Sequence, residues 1–305
     1  SHESAKGSVA VGMNALARHA APGVAVGSAG AADLPRGIAA TGELTDSLVY
    51  ELAAQRALLH WLYRTSPNHR HTVREYIGRT LRLFSGSSIP GPAITPVLEL
   101  ASAICAGFSF PPTPSRTSFL MQVILPLHRP AGRLGATTTA ISRYHEPLSH
   151  CAVLLLRDQP RMLPPALAAL VALWPAPQHG DSAKEVLLLH ELEMWLEVAH
   201  ASDHAAIAAS VMPTVCRCIS SDNSRVAERA LSLFQGEAVR TVLLGDSISA
   251  TRLLVHALVR SGVPHWNATV NRMTYEVLCL IRTHSDAAFS AASTTAFSSL
   301  ASYAQ

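Results

Sequence analysis

Apolar positions follow the helical period over most of this chain. In KEVLLLHELEMWLEVA, Leu188, Leu192, Trp195, Leu196 and Ala199 form one stripe at i, i+4, i+7, i+8 and i+11. Glu191, Glu193 and Glu197 avoid that stripe. In ATVNRMTYEVLCLIR the stripe is Val270, Met273, Thr274, Val277, Leu278 and Ile281, and Leu254 and Leu258 anchor another in ATRLLVHALV. Such stripes are wide enough for helices packed on two sides rather than one. Breakers rich in Pro, Gly and Ser separate the stretches at 66–68, 85–92, 111–114, 129–135, 175–181 and 220–224. No β-branched run alternates with period 2 between hairpin turns, so the chain reads as all-α. Asp181-Ser182 and Asp222 stand where the caps of two helices are expected.

The expected helices pair, and the pairs recur. They begin near residues 48, 92, 141, 182, 222 and 265, at spacings of 44, 49, 41, 40 and 43. A period of ~40–47 with two helices per unit belongs to HEAT and armadillo repeats. The predicted fold is therefore an all-α, HEAT/armadillo-like α-solenoid of about six helical-hairpin repeats over residues 44–303. The longest spacing holds a Gly/Ala/Thr stretch, 131–140, which reads as a loop insertion. Residues 1–43 are rich in Ala, Gly, Ser and Pro, carry no sustained period, and are expected to be low-complexity and disordered.

Composition changes this picture little. Apolar residues make up 49% and charged ones only 15%, which raises the question of a membrane. The best apolar run, 163–175, is interrupted by prolines and falls short of the ~20 residues a spanning helix needs. No membrane insertion is expected. The first residues do not pair a basic region with a long apolar core, as a secretory signal would. Five Cys in 305 residues do not make a disulfide framework. These features predict a cytoplasmic protein, with the nucleus as a second compartment. A net charge of +3 without a dense basic stripe argues against a nucleic-acid partner.

Candidate chemistry is sparse. His200 and His204 have metal-ligand spacing, but Ser202-Asp203 between them reads as a helix cap, so the pair straddles a boundary. Cys216 and Cys218 point to different helical faces, and zinc needs about four convergent ligands. No metal and no cofactor is expected. LLGDSIS (243–249) resembles the nucleophile block of a serine esterase family. Only 56 residues follow Ser249 and no Asp-x-x-His lies among them, so the reading is a turn in which Asp246 or Ser247 caps the next helix. No catalytic residue is assigned.

Several blocks in series carry a resemblance. VILPLHR (123–129), YHEPLSHCAVLLL (144–156), LVALWP (170–175), SAKEVLLLHELEMWLEV (182–198), CRCISSDNSRVAERALSLF (216–234) and HWNATVNRMTYEVL (265–278) resemble the B-prime regulatory subunits of protein phosphatase 2A. LLHWLYR (58–64) and LELASAICAGFSFP (98–111) match more loosely, and the likeness is collinear over roughly 44–283. The resemblance implies a HEAT-like solenoid that is not an enzyme. Such a subunit docks on the phosphatase scaffold and catalytic subunits and selects substrates. It also implies further repeats upstream, which the low-complexity stretch 1–43 does not supply. The alternative beside it is a peptide-binding HEAT-repeat scaffold that no longer assembles with the phosphatase.

The same resemblance implies a groove for partners carrying Leu-x-x-Ile-x-Glu. It falls on His60, Tyr63 and Arg70 in one repeat, on Glu99, Leu100 and Ile104 in the next, and on Arg116 beyond. His60 and Tyr63 share a helical face at i, i+3, as Leu100 and Ile104 do at i, i+4. Arg70 would meet the acidic residue of the peptide in a charge-assisted contact. The chain departs from the family pattern at Trp61, Thr113 and Arg116, which replace an Arg, a Lys and a His.

Overall fold

A computed structural model describes residues 46–85, 94–107, 113–129, 139–176, 180–245, 247–259, 265–284 and 286–303. The expected low-complexity stretch 1–43 and most of the expected insertion 131–140 lie outside the described residues. Among the described residues the regular structure is helical throughout, as the 3.6-residue period requires. The chain divides into two compact units between Leu155 and Leu156.

The first unit contains α1 (Asp46–Thr65), α2 (Arg70–Ser85), α3 (Thr95–Ala106) and α4 (Thr113–Phe119). A π-type turn at Leu120–Ile124 and a 3-10 turn at Leu125–His128 follow. Helix α5 (His145–Arg157) begins in this unit and runs across the division. α1 and α2 both pack on α3, and α2 also rests on the π and 3-10 turns. The VILPLHR block is packed rather than exposed. Tyr144 Oη donates to the Leu127 carbonyl at 3.0 Å, and its ring meets Phe84 edge-on at 5.5 Å. His128 is fully buried, with Nδ1 3.0 Å from the Leu125 carbonyl.

The second unit continues with α6 (Leu163–Ala172), α7 (Ser182–Leu196), α8 (His204–Ile219) and α9 (Ser224–Ser232). It ends with α10 (Glu237–Leu243), α11 (Ile248–Val259), α12 (Ala268–His284) and α13 (Asp286–Tyr303). Two layers form. In one, α7 packs on α9 and α9 on α12; in the other, α8 packs on α6 and α11, and α11 on α13. Apart from α10, which packs on α7 and α8, the helices of this unit touch a counterpart in an adjacent repeat, the defining arrangement of an α-solenoid. The first-layer helices share one start signal. Asp181 accepts from the Lys184 backbone N–H, Asn223 from those of Arg225 and Val226, and Asn267 from that of Thr269. The caps recur 42 and 44 residues apart, so the repeat period is written in its capping residues.

Four local expectations need correction. Glu191 is fully buried beside Leu188, Leu192 and Trp195, because α7 is enclosed by both α9 and α10 and its buried arc is wider than the apolar stripe. Helix α7 stops at Leu196, so Ala199 lies outside it. The cap before the 224 helix is Asn223 rather than Asp222, whose carbonyl instead receives the Trp266 indole N–H at 2.9 Å. The stretch from 222 to 265 holds three helices, not two. Gly245 adopts φ +38, and a Cβ there would lie 3.0 Å from the Thr241 carbonyl, so the chain turns between α10 and α11. Ser247 then caps α11, its Oγ accepting from Ala250 N–H at 3.2 Å. Asp246 lies outside the described residues.

Candidate functional site

The cluster around Tyr63 is built by α1, the start of α2 and α3. Tyr63 is 2% exposed and sits under two guanidinium groups, with Arg70 5.5 Å and Arg74 5.9 Å from its ring centroid. Arg74 Nη1 donates to Tyr63 Oη at 3.0 Å, and Arg70 Nε donates to the Tyr63 carbonyl at 3.0 Å. Arg70 Nη2 also reaches the Arg64 carbonyl at 3.5 Å. Arg70 thereby closes the end of α1 as a C-terminal cation should. Among the described residues neither Arg70 nor Arg74 is paired with a carboxylate. The cluster is a net positive patch.

Glu99 on α3 is half-buried and forms an ion pair with Arg56 on α1. Leu100 and Ile104, at 2% exposure each, point into the core shared by α1, α2 and α3. The free space beside Leu100 is a cleft of about 10 Å³, lined by Leu52, Arg56, Leu59, Tyr76, Pro96 and Val97. That volume holds about one water and no aliphatic side chain. His60 lies three residues before Tyr63 on α1 and is half-buried. Arg116 is half-buried on α4, a separate element from the Tyr63 cluster.

The structure thus brings Tyr63 and Arg70 into contact, and ties Glu99 to α1. Two members of this cluster, Arg56 and Arg74, were not expected from the sequence. Arg74 follows Arg70 by one helical turn, so its presence on the same face was readable from spacing. Arg56 was not, because only the packing of α1 on α3 places it against Glu99.

His200 and His204 flank a 3-10 turn at Ala201–Asp203, and no group of three metal-ligating side chains converges among the described residues. Burial pushes the thiols of Cys216 and Cys218 up to about 12. Such thiols carry almost no nucleophilic thiolate near neutral pH. No single described helix is long and apolar enough to cross a membrane.

Comparison with known proteins accounts for the ordered blocks. The family model described as protein phosphatase 2A regulatory B subunit (B56 family) matches residues 50–301. The chain is 28% identical over 225 residues to the human serine/threonine-protein phosphatase 2A 56 kDa regulatory subunit delta isoform, covering 74% of this chain and 36% of that one. To the Caenorhabditis elegans serine/threonine-protein phosphatase 2A regulatory subunit pptr-1 it is 28% identical over 223 residues, covering 73% and 39%. Its identity to the human 56 kDa alpha isoform is 26% over 223 residues, covering 73% and 44%. The chain spans about two-fifths of the length of the curated relatives it matches. A family match running through nearly all of both helical units decides the relationship: the chain belongs to the B56 family of protein phosphatase 2A regulatory proteins.

Proposed function

We propose that the chain acts as a non-catalytic regulatory subunit of protein phosphatase 2A. It docks on the scaffold and catalytic subunits and directs substrate selection in signal transduction, in the cytoplasm and also the nucleus. The observation that carries this reading is the family match over residues 50–301. A solenoid suits the task, because stacked repeats offer an extended surface rather than a closed active site. Purification from cells that express the chain, followed by identification of bound proteins, is the test. Recovery of the scaffold and catalytic subunits supports the reading, and their absence overturns it.

Within this reading, partners bearing Leu-x-x-Ile-x-Glu engage the surface around His60, Tyr63, Arg70, Glu99, Leu100, Ile104 and Arg116. Arg70 and Arg74, neither paired with a carboxylate among the described residues, support an acidic residue on the ligand. Leu100 and Ile104 are buried, so their contact with peptide requires the cover over them to open. That opening lowers the apparent affinity by the fraction of open molecules. Titration with a Leu-x-x-Ile-x-Glu peptide is expected to give weak binding, reduced ~10-fold or more in Arg70→Ala through loss of a charge-assisted contact. Binding that survives unchanged in Tyr63→Ala and Arg70→Ala refutes this placement.

A further inference from the structure

An open groove of about 420 Å³ lies between the end of α7 and α10. That is within the ~300–1,000 Å³ of clefts that hold ligands. Its floor is apolar: Leu196 at the end of α7, Ala199 in the turn that follows, and Ala238 and Val242 on α10. Glu197 borders it from the α7 side and Glu237 from the α10 side, and both are exposed. His204 at the start of α8 and Thr241 complete the lining. The groove lies inside the stack. Helix α10 packs on α7 and α8, with α6 before them and α11 to α13 after.

Among the described residues neither Glu197 nor Glu237 is paired with a cation. Arg240, the one cation on α10, is engaged by the carbonyls of Phe234 and Gln235 at 2.8 and 2.7 Å. The Thr241 hydroxyl donates to the Glu237 carbonyl at 3.0 Å. Glu237 suits the start of α10, where the helix dipole favours an acid. Glu197 does not suit its place. It is the C-cap of α7, whose last turn holds no basic residue, so its charge adds to the negative end of the helix. Folding gains nothing from an acid there, and a cation brought by a ligand would offset both charges.

We propose that this groove docks a cationic segment of a partner protein, with Arg or Lys side chains on the two carboxylates and an aliphatic side chain between them on the apolar floor. Charge complementarity selects this occupant, because the lining holds two carboxylates and no Lys or Arg. In an extended segment alternate side chains point to opposite faces. A sequence Arg-Leu-Arg therefore lays its Leu on the floor, and the long Arg stems reach round to Glu197 and Glu237. An acidic segment is repelled. The volume admits only a short segment, so the affinity is modest, and it falls as salt screens the exposed pairs. The groove takes the charge opposite to that expected at the Tyr63 cluster of the first unit, and its occupation does not depend on docking to the phosphatase.

Fluorescence anisotropy of a labelled Gly-Arg-Leu-Arg-Gly peptide, titrated with the full chain, tests this. Saturable binding is expected, weakening as salt is raised, and none with Gly-Glu-Leu-Glu-Gly. Glu197→Gln combined with Glu237→Gln, both at exposed positions, is expected to weaken binding about 5–10-fold. Ala238→Trp, also at an exposed position, keeps both carboxylates but fills the floor, and is expected to abolish saturable binding. Glu51→Gln combined with Glu75→Gln removes the same charge from the first unit and should change nothing. Far-UV circular dichroism checks that each variant is folded. Equal loss in the Glu51 and Glu75 variant marks attraction to net charge alone and overturns the proposal. Unchanged binding in Ala238→Trp, or a wild type that does not bind the peptide, overturns it too. Binding that appears only once residues 1–45 are removed assigns the groove to that segment of the chain and overturns a partner protein as its occupant.

Discussion

Burial raises the proton affinity of the Glu185 carboxyl, and the Arg217 guanidinium 3.8 Å away offsets only part of the effect. A carboxyl whose pKa is raised on folding contributes stability that is fully present below its unfolded value of 4.5 and is lost as pH rises through the folded value. Chemical denaturation of the wild type and of Glu185→Gln across the acidic range should therefore diverge. The stability of the wild type relative to the variant is expected to rise as pH falls toward 4.5, and a flat difference would contradict the burial. Thiol chemistry separates residues in the same way. Cys105, Cys151 and Cys218 are buried and Cys279 is exposed on α12. Brief alkylation of the native protein, read by peptide mass spectrometry, is expected to label Cys279 first and to spare Cys216 and Cys218. At this scale the candidate groove was only partly legible. Tyr63, Leu100 and Ile104 have apolar character that suits a peptide trough and a core equally well. All three are buried in this conformation, on α1 and α3, and no local pattern carries that information.

At the scale of single elements, start signals mattered more than helix propensity. Asn223 satisfies two backbone N–H groups at the start of α9, a helix of only nine residues. Short helices cannot stand on propensity. Asn223→Ala is expected to cost ~1 kcal/mol, measured as a shift in denaturation midpoint with an unchanged slope. The α7 cap at Asp181 was readable because Asp-Ser precedes a clear stripe. The α9 cap was misplaced by one residue because Asp222 and Asn223 are both good caps, and the choice fell to the chain entering from the preceding turn. Helix α10 went unread as a separate element for a related reason. The turn at 243–249 was legible, but the 3-10 turn at Leu233–Gln235 and the extended Gly236 that part α10 from α9 carry no cluster of breakers.

At the scale of the molecule, α9 lies between α7 and α12, and ties to both. Arg229 forms an ion pair with Glu193 of α7, and Glu228 accepts from the Asn267 side chain at 3.2 Å. In a one-dimensional stack, damage spreads to nearest neighbours first. Leu231→Ala in the core of α9 should cost ~2–5 kcal/mol. Hydrogen exchange is expected to lose protection in α7 and α12 more than in α13, and equal loss in all three would argue against stacking. The sequence alone determined the helical class and the family. Each of these rests on local spacing or on ordered blocks that survive without tertiary contact. Tertiary structure alone decided that Glu191 is buried, that Arg56 neutralises Glu99, that Leu100 and Ile104 are buried, and that Trp61 and Tyr50 face outward. An apolar or charged residue acquires its role from what lies on the far side of it, and helical periodicity is blind to that neighbour.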